Sequence, residues 1–321
     1  EIFLPLPQKG VFLKFSVEAV MRAFYADHFV LPLPDGHRFP MAKYSLLREA
    51  VAQMPNVELL EAPSATDRQI LLAHDVAYVQ SVLNGTLTAQ AQREIGFPWT
   101  PGMVERSRRS VGATIAACKA ALQDGVSANL AGGTHHAYRY KGSGFCVFND
   151  AAIAARVMQR SHTSALNVAI IDLDVHQGNG TASVLAQDES IFTFSMHGER
   201  NFPFRKEPSD LDIGLADDTT DEAYLNALDQ GLDELSNRFK PGFIIYLGGA
   251  DIHEGDRLGR LKVSKQGVLE RDLKVFNFAK RQQIGVAVVM AGGYGHDITQ
   301  TVSVHAQTIE TAARFTTTQH G

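Results

Sequence analysis

The chain has 321 residues, 45% of them hydrophobic and 20% charged, with a formal net charge of -5. That composition excludes a disordered or fibrous protein and supplies apolar side chains for a sizeable core. The acidic balance argues against a nucleic-acid partner, and two cysteines, Cys118 and Cys146, are too few for a disulfide framework, so a reducing, cytoplasmic setting is expected.

The first stretch, EIFLPLPQKGVFLKFSVEAV (1–20), is apolar but broken by prolines and lysines well short of a membrane span. It has no small-residue cleavage site after an uninterrupted apolar run, so neither a membrane segment nor a secretory signal is expected. Residues 1–20 read as an N-terminal extension ahead of a domain over 21–321, with Met21 as the start. Next come YSLLREAVAQM (44–54) and DRQILLAHDVAYVQSVLNG (67–85), which make the early part mostly helical.

From about residue 127 short apolar runs alternate with helical patterns. The runs are SANLA (127–131), VAIIDL (168–173), IFTFS (191–195), FIIYLG (243–248) and VAVVMA (286–291). Around and between them, residues 103–122, 149–160, 221–239 and 265–283 carry apolar side chains at helical spacing. Near-continuous apolar strands separated by helices predict an α/β fold, a single-domain parallel β-sheet flanked by helices on both faces.

In such sheets ligands bind beyond the carboxyl ends of the strands. Four glycine-bearing polar loops fall there: AGGTHHAYRYKGSGFCVFND, DLDVHQGNG, GGADIHEGDRLG and AGGYGHD. Asp174 and His176 are one residue apart, so both point the same way in an extended segment. A half metal site and a plain Asp–His hydrogen bond are both open readings of that pair. Asp251 adds a second carboxylate; three such ligands leave an open position, the pattern of a catalytic zinc. The DIH at 251–253 repeats the spacing, but a two-metal site needs bridging carboxylates, and Gln-Gly-Asn-Gly follows His176. One metal is therefore expected, with His253 nearby and not a ligand. The adjacent His135 and His136 suit a division of base and acid roles, with Asp172 accepting an Nδ1–H from one of them. Tyr294, between glycines, can approach a ligand closely. GNGTAS is similar to a dinucleotide-binding turn, but Ser183 replaces its last glycine and acids crowd where a pyrophosphate would sit.

Taken in order, GGTHHA, GFCVFND, DLDVHQGNG, GADIHEGDRLG and GGYG resemble the motifs of the zinc-dependent histone deacetylase family over roughly residues 25–315. In wording they are closest to its class IV branch, because Asn179 stands where class I members carry an aspartate. The resemblance implies the arginase–deacetylase α/β fold and zinc held by Asp174, His176 and Asp251, with iron(II) as the alternative cation. It implies His135 and His136 as tandem histidines oriented by Asp172 and Asn179, and Tyr294 polarising the substrate carbonyl. Gly144, Phe145, Phe202 and Leu258 would line an acyl-lysine tunnel. A structural potassium ion would be held by Asp172, Asp174, His176, Ser195 and Met196, largely through backbone oxygens.

The implied activity is zinc-dependent removal of an acyl group, acetyl above all, from the ε-amine of lysine in proteins or peptides. In it His135, or the pair together, takes the proton of the attacking water, and His136 protonates the departing amine. The neutral Asn179 makes His136 easier to keep neutral than a carboxylate partner would. The alternatives are a deacetylase of small acylated amines and an arginase-like two-metal hydrolase. Leu258, where polyamine-specific members place an acid, weighs mildly against the first. REIGFPWTPG (93–102) lacks the aspartate with which many members grip a peptide backbone, leaving Glu94 as the candidate substitute. Nothing in the sequence fixes the oligomeric state.

Overall fold

β4 (Val168–Asp172), reading VAIID, and β7 (Phe243–Leu247), reading FIIYL, are buried at every position and pair in parallel. Strands apolar on both faces can only sit between two layers of helices. In the computed structural model, which describes residues 19–29, 31–34, 36–161 and 166–317, they lie at the centre of an eight-stranded sheet. The N-terminal half contributes β1 (Met21–Tyr25), α1 (Ala42–Val51), β2 (Val57–Glu61), α2 (Asp67–Ile70), α3 (Val76–Asn84), α4 (Ala89–Ile95), α5 (Pro101–Asp124), β3 (Val126–Asn129) and α6 (Asp150–Ser161). After β4 follow α7 (Asn179–Leu185), β5 (Ile191–Gly198), β6 (Leu211–Leu215) and α8 (Asp221–Arg238). After β7 come α9 (Lys265–Gln282), β8 (Gly285–Val289) and α10 (Ile298–Ala313).

The strand order is β2-β1-β3-β8-β7-β4-β5-β6, every neighbouring pair parallel. Alternation along each strand feeds two cores. Val168, Ile170, Ile245 and Val289 join α5 and α6 on one face; Ala169, Ile171, Ile244 and Val288 join α8, α9 and α10 on the other. This is the single-domain α/β architecture that the sequence predicts. No helix among the described residues is long and apolar enough to cross a membrane.

The early part departs from its mostly helical expectation, because β1 and β2 extend the sheet there. β2 reads VELLE at the sheet edge, half exposed, and so lacks the apolar run of a central strand. β1 carries Arg22, whose Nε donates to Asp124 Oδ2 at 2.6 Å, a charge that a pattern of apolar runs passes over. The opposite edge strand β6, LDIGL, is as short and as mixed. Met21 is fully buried, its N–H donating to Asn56 O at 2.9 Å. Of the expected extension 1–20, residues 1–18 lie outside the described residues.

Candidate active site

β3, β8, β7 and β4 are consecutive in the sheet although they are far apart in the chain. Their C-terminal loops therefore meet at one edge. The loop after β3 brings His135 and His136, the last residue of β4 is Asp172 and the loop beyond it carries Asp174 and His176, that after β7 Asp251, and that after β8 Tyr294. All seven side chains belong to buried residues.

The histidine loop is shaped by Asp150, a fully buried acid at the first turn of α6. Its carboxylate accepts the Thr134 and Gly133 N–H groups at 2.7 and 3.0 Å and the Thr134 and Thr114 hydroxyls at 2.7 and 2.6 Å. Gly132 and Gly133 take left-handed φ of 80° and 72°, which turns the chain back over the sheet. Asp150 stood in the FCVFND motif, but its role needs partners that no local pattern shows.

Asp174, His176 and Asp251 offer ligand atoms within 4.8 Å of one another, the one such group among the described residues. His176 Nδ1 lies 3.0 Å from Asp174 Oδ1 and 3.2 Å from Asp251 Oδ2. The outer oxygens are tied down: Gly292 N–H donates to Asp174 Oδ2 at 2.7 Å and Val175 N–H to Asp251 Oδ1 at 3.0 Å. Asp251 Oδ2 has no hydrogen-bond partner although buried. Burial and the charge of Asp174 push the Asp251 carboxyl up to about 7. Burial alone would lower His176, but the two carboxylates outweigh it and raise the imidazole to about 10. Two carboxylates and an imidazole converging around an orphaned buried oxygen form a donor set that a divalent cation satisfies. His253 stands apart. Its Nδ1 accepts the Gly255 N–H at 3.1 Å, and it lines a separate surface cavity with Lys262 and Lys265.

The loops carrying the carboxylates are fixed from behind. A Cβ on Gly249 would lie 2.7 Å from Asp251 Oδ1 and 2.8 Å from Asp174 Oδ2, so glycine permits the close approach. Arg271 of α9, fully buried, donates from Nη1 to Gly249 O at 2.6 Å and is neutralised by Asp272 at 2.8 Å.

His135 Nδ1 is 2.7 Å from Asp172 Oδ2, and His136 Nδ1 is 2.7 Å from Asn179 Oδ1, whose Nδ2 donates to the Tyr138 hydroxyl at 2.8 Å. With Nδ1 of each ring donating to these acceptors, Nε2 is the position at which each ring takes up or releases a proton. The rings lie 4.1 Å apart. Burial would depress both; around His135 the Asp172 and Asp174 charges win and raise it to about 9. His136 is held well below its ordinary value by burial and by the neighbouring His135 and His176. Its neutral Asn179 partner does little to oppose that.

Above these residues opens a cavity of about 700 Å³ lined by Gly144, Phe145, Phe202, Leu258 and Tyr294. Phe202 stands edge-on to His136, centroids 4.8 Å apart at 84°. Phe145 sits at φ 66°, its N–H donating to Ile95 O at 2.7 Å. Phe39, absent from the expected lining, packs 5.3 Å from Phe145 and 6.4 Å from Tyr294. Glu94 also lines the cavity, but Lys141 Nζ at 3.2 Å and Gln90 Nε2 at 3.1 Å already engage its carboxylate.

The Tyr294 loop is held from two sides. Asp256 Oδ2 accepts the Tyr294 N–H at 2.6 Å, and Arg257 Nε donates to Tyr294 O at 2.8 Å. Lys43 of α1, almost fully buried, donates to Ala291 O at 3.3 Å and Gly293 O at 3.4 Å. Ser195 and Met196 lie below the cavity on β5, with Ser195 in register with Asp172.

Fold and site together define a parallel α/β protein whose strand-end loops converge on a candidate cation centre beneath paired histidines. The chain matches the histone deacetylase domain family over residues 37–309. It is 43% identical over 285 residues to an uncharacterised protein of Picosynechococcus, covering 88% of this chain and 95% of that one. Histone deacetylase 2 of Arabidopsis thaliana is 32% identical, covering 80% of this chain and 67% of its own, and the acetoin utilization protein AcuC of Bacillus subtilis 27%, covering 87% and 76%. A crystal structure of a histone deacetylase homologue from Aquifex aeolicus superposes with a TM-score of 0.78 at 21% identity, over 92% of this chain and 84% of that one. The chain belongs to the histone deacetylase family and is a hydrolase acting on amide bonds.

Proposed function

We propose that the chain removes acyl groups, acetyl above all, from the ε-amine of lysine in proteins or peptides, with one zinc ion held by Asp174, His176 and Asp251. The observation that carries this reading is the buried, unsatisfied Asp251 Oδ2, 3.2 Å from His176 Nδ1, just behind a cavity floor lined by His135, His136, Asp174 and His176. A divalent cation bound there supplies Lewis acidity, polarising a carbonyl and acidifying water.

The protein's own groups do the rest. The aromatic walls, Phe145 and Phe202, exclude water from an aliphatic stem. His135 and His136 move the protons, taking one from the attacking water and returning one to the departing amine. Asp172 accepts the Nδ1–H of His135 and raises its basicity toward the water proton; Asn179 orients His136, which passes a proton to the departing amine. The Tyr294 hydroxyl donates to the tetrahedral oxyanion. Asn179 in this role also supports placing the chain nearest the class IV branch. A potassium ion below the site would be held by Asp172, Asp174, His176, Ser195 and Met196; the pairing of β4 with β5, which sets Asp172 opposite Ser195, supports that reading. A reducing, cytoplasmic setting suits two buried, unpaired cysteines.

The one three-residue cluster among the described residues supports one cation rather than the pair an arginase-like hydrolase needs. Iron(II) suits the same donors. The test is a fluorogenic panel of acetyl-, trifluoroacetyl- and long-chain acyl-lysine peptides with acetylpolyamines alongside, run on protein loaded with zinc or iron(II). Hydrolysis of the lysine peptides is the expected result. Cleavage of acetylpolyamines alone would overturn it.

A further inference from the structure

The outer end of the cavity is cationic on a protein whose net charge is -5. Arg38, Arg93, Lys141, Arg200 and Arg260 all line it, and above the floor Glu94 is the one acid lining it among the described residues. The four arginines are exposed, so they mark the mouth, whereas Asp174 and the paired histidines are buried at the base.

Little of this charge is neutralised. Glu94 is taken by Lys141. Asp217 is shared between Arg260 at 3.2 Å and Arg200 at 3.8 Å, one carboxylate for two guanidiniums. Arg38 and Arg93 make no ion pair among the described residues. Charges of one sign around a cleft with apolar walls reinforce one another at its entrance, concentrating ligands of opposite sign and repelling those of like sign. Guanidiniums also offer paired N–H donors that match a carboxylate.

We propose that the site selects acyl-lysines flanked by aspartate or glutamate in the surrounding peptide. The preference rests on the deacylase reading above and adds its substrate class. A lysine in a basic segment meets a like-charged mouth, as does a polyamine carrying a second ammonium. Leu258, neutral at the cavity wall, offers such an ammonium no carboxylate.

The test uses the metal-loaded full chain and three acetyl-lysine peptides of equal length, whose flanking residues are Asp/Glu, Gly/Ser or Lys/Arg. An exposed ion pair changes an equilibrium by up to about fivefold. Two flanking acids should therefore raise kcat/KM about 5- to 20-fold over the neutral peptide, with the basic peptide slower still. The ratio should shrink toward one between about 0.05 and 0.5 M salt, as screening shortens the reach of the charges. Arg38→Glu combined with Arg93→Glu should reverse the order. Because each order is a ratio within one protein, a general loss of activity does not move it, and Arg200→Glu provides a second variant.

Equal rates on the three peptides, or an acidic preference that survives both high salt and charge reversal, would overturn the selection while leaving the deacylase reading standing. Failure to cleave any of the peptides would overturn both.

Discussion

Gly292→Ala is the sharpest probe of the cation centre, because it adds one methyl group and touches no candidate ligand chemically. No left-handed backbone demands glycine at this position, so alanine fits the chain itself; the obstacle lies ahead of it. The new Cβ would lie 2.7 Å from both Asp174 Oδ2 and Asp251 Cγ, and closer still to Asp251 Oδ2. Restoring ordinary contact at 3.4 Å moves the Asp174 carboxylate by about 0.7 Å and the nearer Asp251 oxygen by still more. Metal–ligand distances hold to within about 0.2 Å, so a displacement more than three times larger removes at least one donor. Perturbing groups that merely support ligands costs about 10- to 100-fold in affinity. Shifting two ligands at once should exceed the upper figure. Competition with a fluorescent chelator gives the zinc Kd directly, and a urea titration of the metal-free protein should show a separate overpacking cost of about 1–3 kcal/mol. A zinc Kd within threefold of the unaltered protein would refute the assignment of these carboxylates as ligands.

Tyr294→Phe should lose one oxyanion donor, about 2.7–4 kcal/mol, seen as a 100- to 1,000-fold lower kcat with zinc content unchanged by elemental analysis. Arg271→Met leaves Asp272 buried without its cation and frees the Gly249 carbonyl; urea unfolding should show a loss of about 3–5 kcal/mol, part of it recovered by adding Asp272→Asn. His74, buried and accepting the Asn149 N–H at 2.9 Å, is held down from 6.5 to about 4, chiefly by burial. Above 6.5 it is neutral in both folded and unfolded chains. As the pH falls from there to about 4 the unfolded chain takes the proton first, so stability drops by about 3 kcal/mol over that window. Urea titrations at stepped pH should show this slope, and His74→Gln should flatten it. Asp174→Ala should lower bound zinc to well below one per chain, measured by elemental analysis.

What was legible in the sequence was local. Apolar runs that end in glycine and an acid reveal both a buried strand and the loop beyond it, which is why the ends of β4, β7 and β8 could be placed without coordinates. The alternation of Asp174 and His176 speaks through strand geometry in the same way. Edge strands escaped because half-exposure mixes Glu58 and Asp212 into runs of five residues. α10 escaped because its Thr- and Val-rich stretch, ITQTVSVHAQTIETAA, carries weak helix preference and is helical through burial against the sheet. The supporting residues escaped for a different reason. Asp150, Arg271 and Lys43 act on partners 16, 22 and 248 positions away, and no window of sequence holds both ends of such a bond. The cationic mouth was equally silent, since its members come from five separate segments and the chain as a whole is acidic.

Lys43 has a consequence for how the molecule is dissected. Its amine spans 250 positions to clasp the backbone beside Tyr294, so the first helix and the last strand-end loop form one mechanical unit. Lys43→Met would slacken the tyrosine while leaving β1, the sheet and every acid and imidazole of the floor in place. Such a variant is expected to load metal normally and turn over poorly, a separation of two properties that loss of a cation ligand would not mimic.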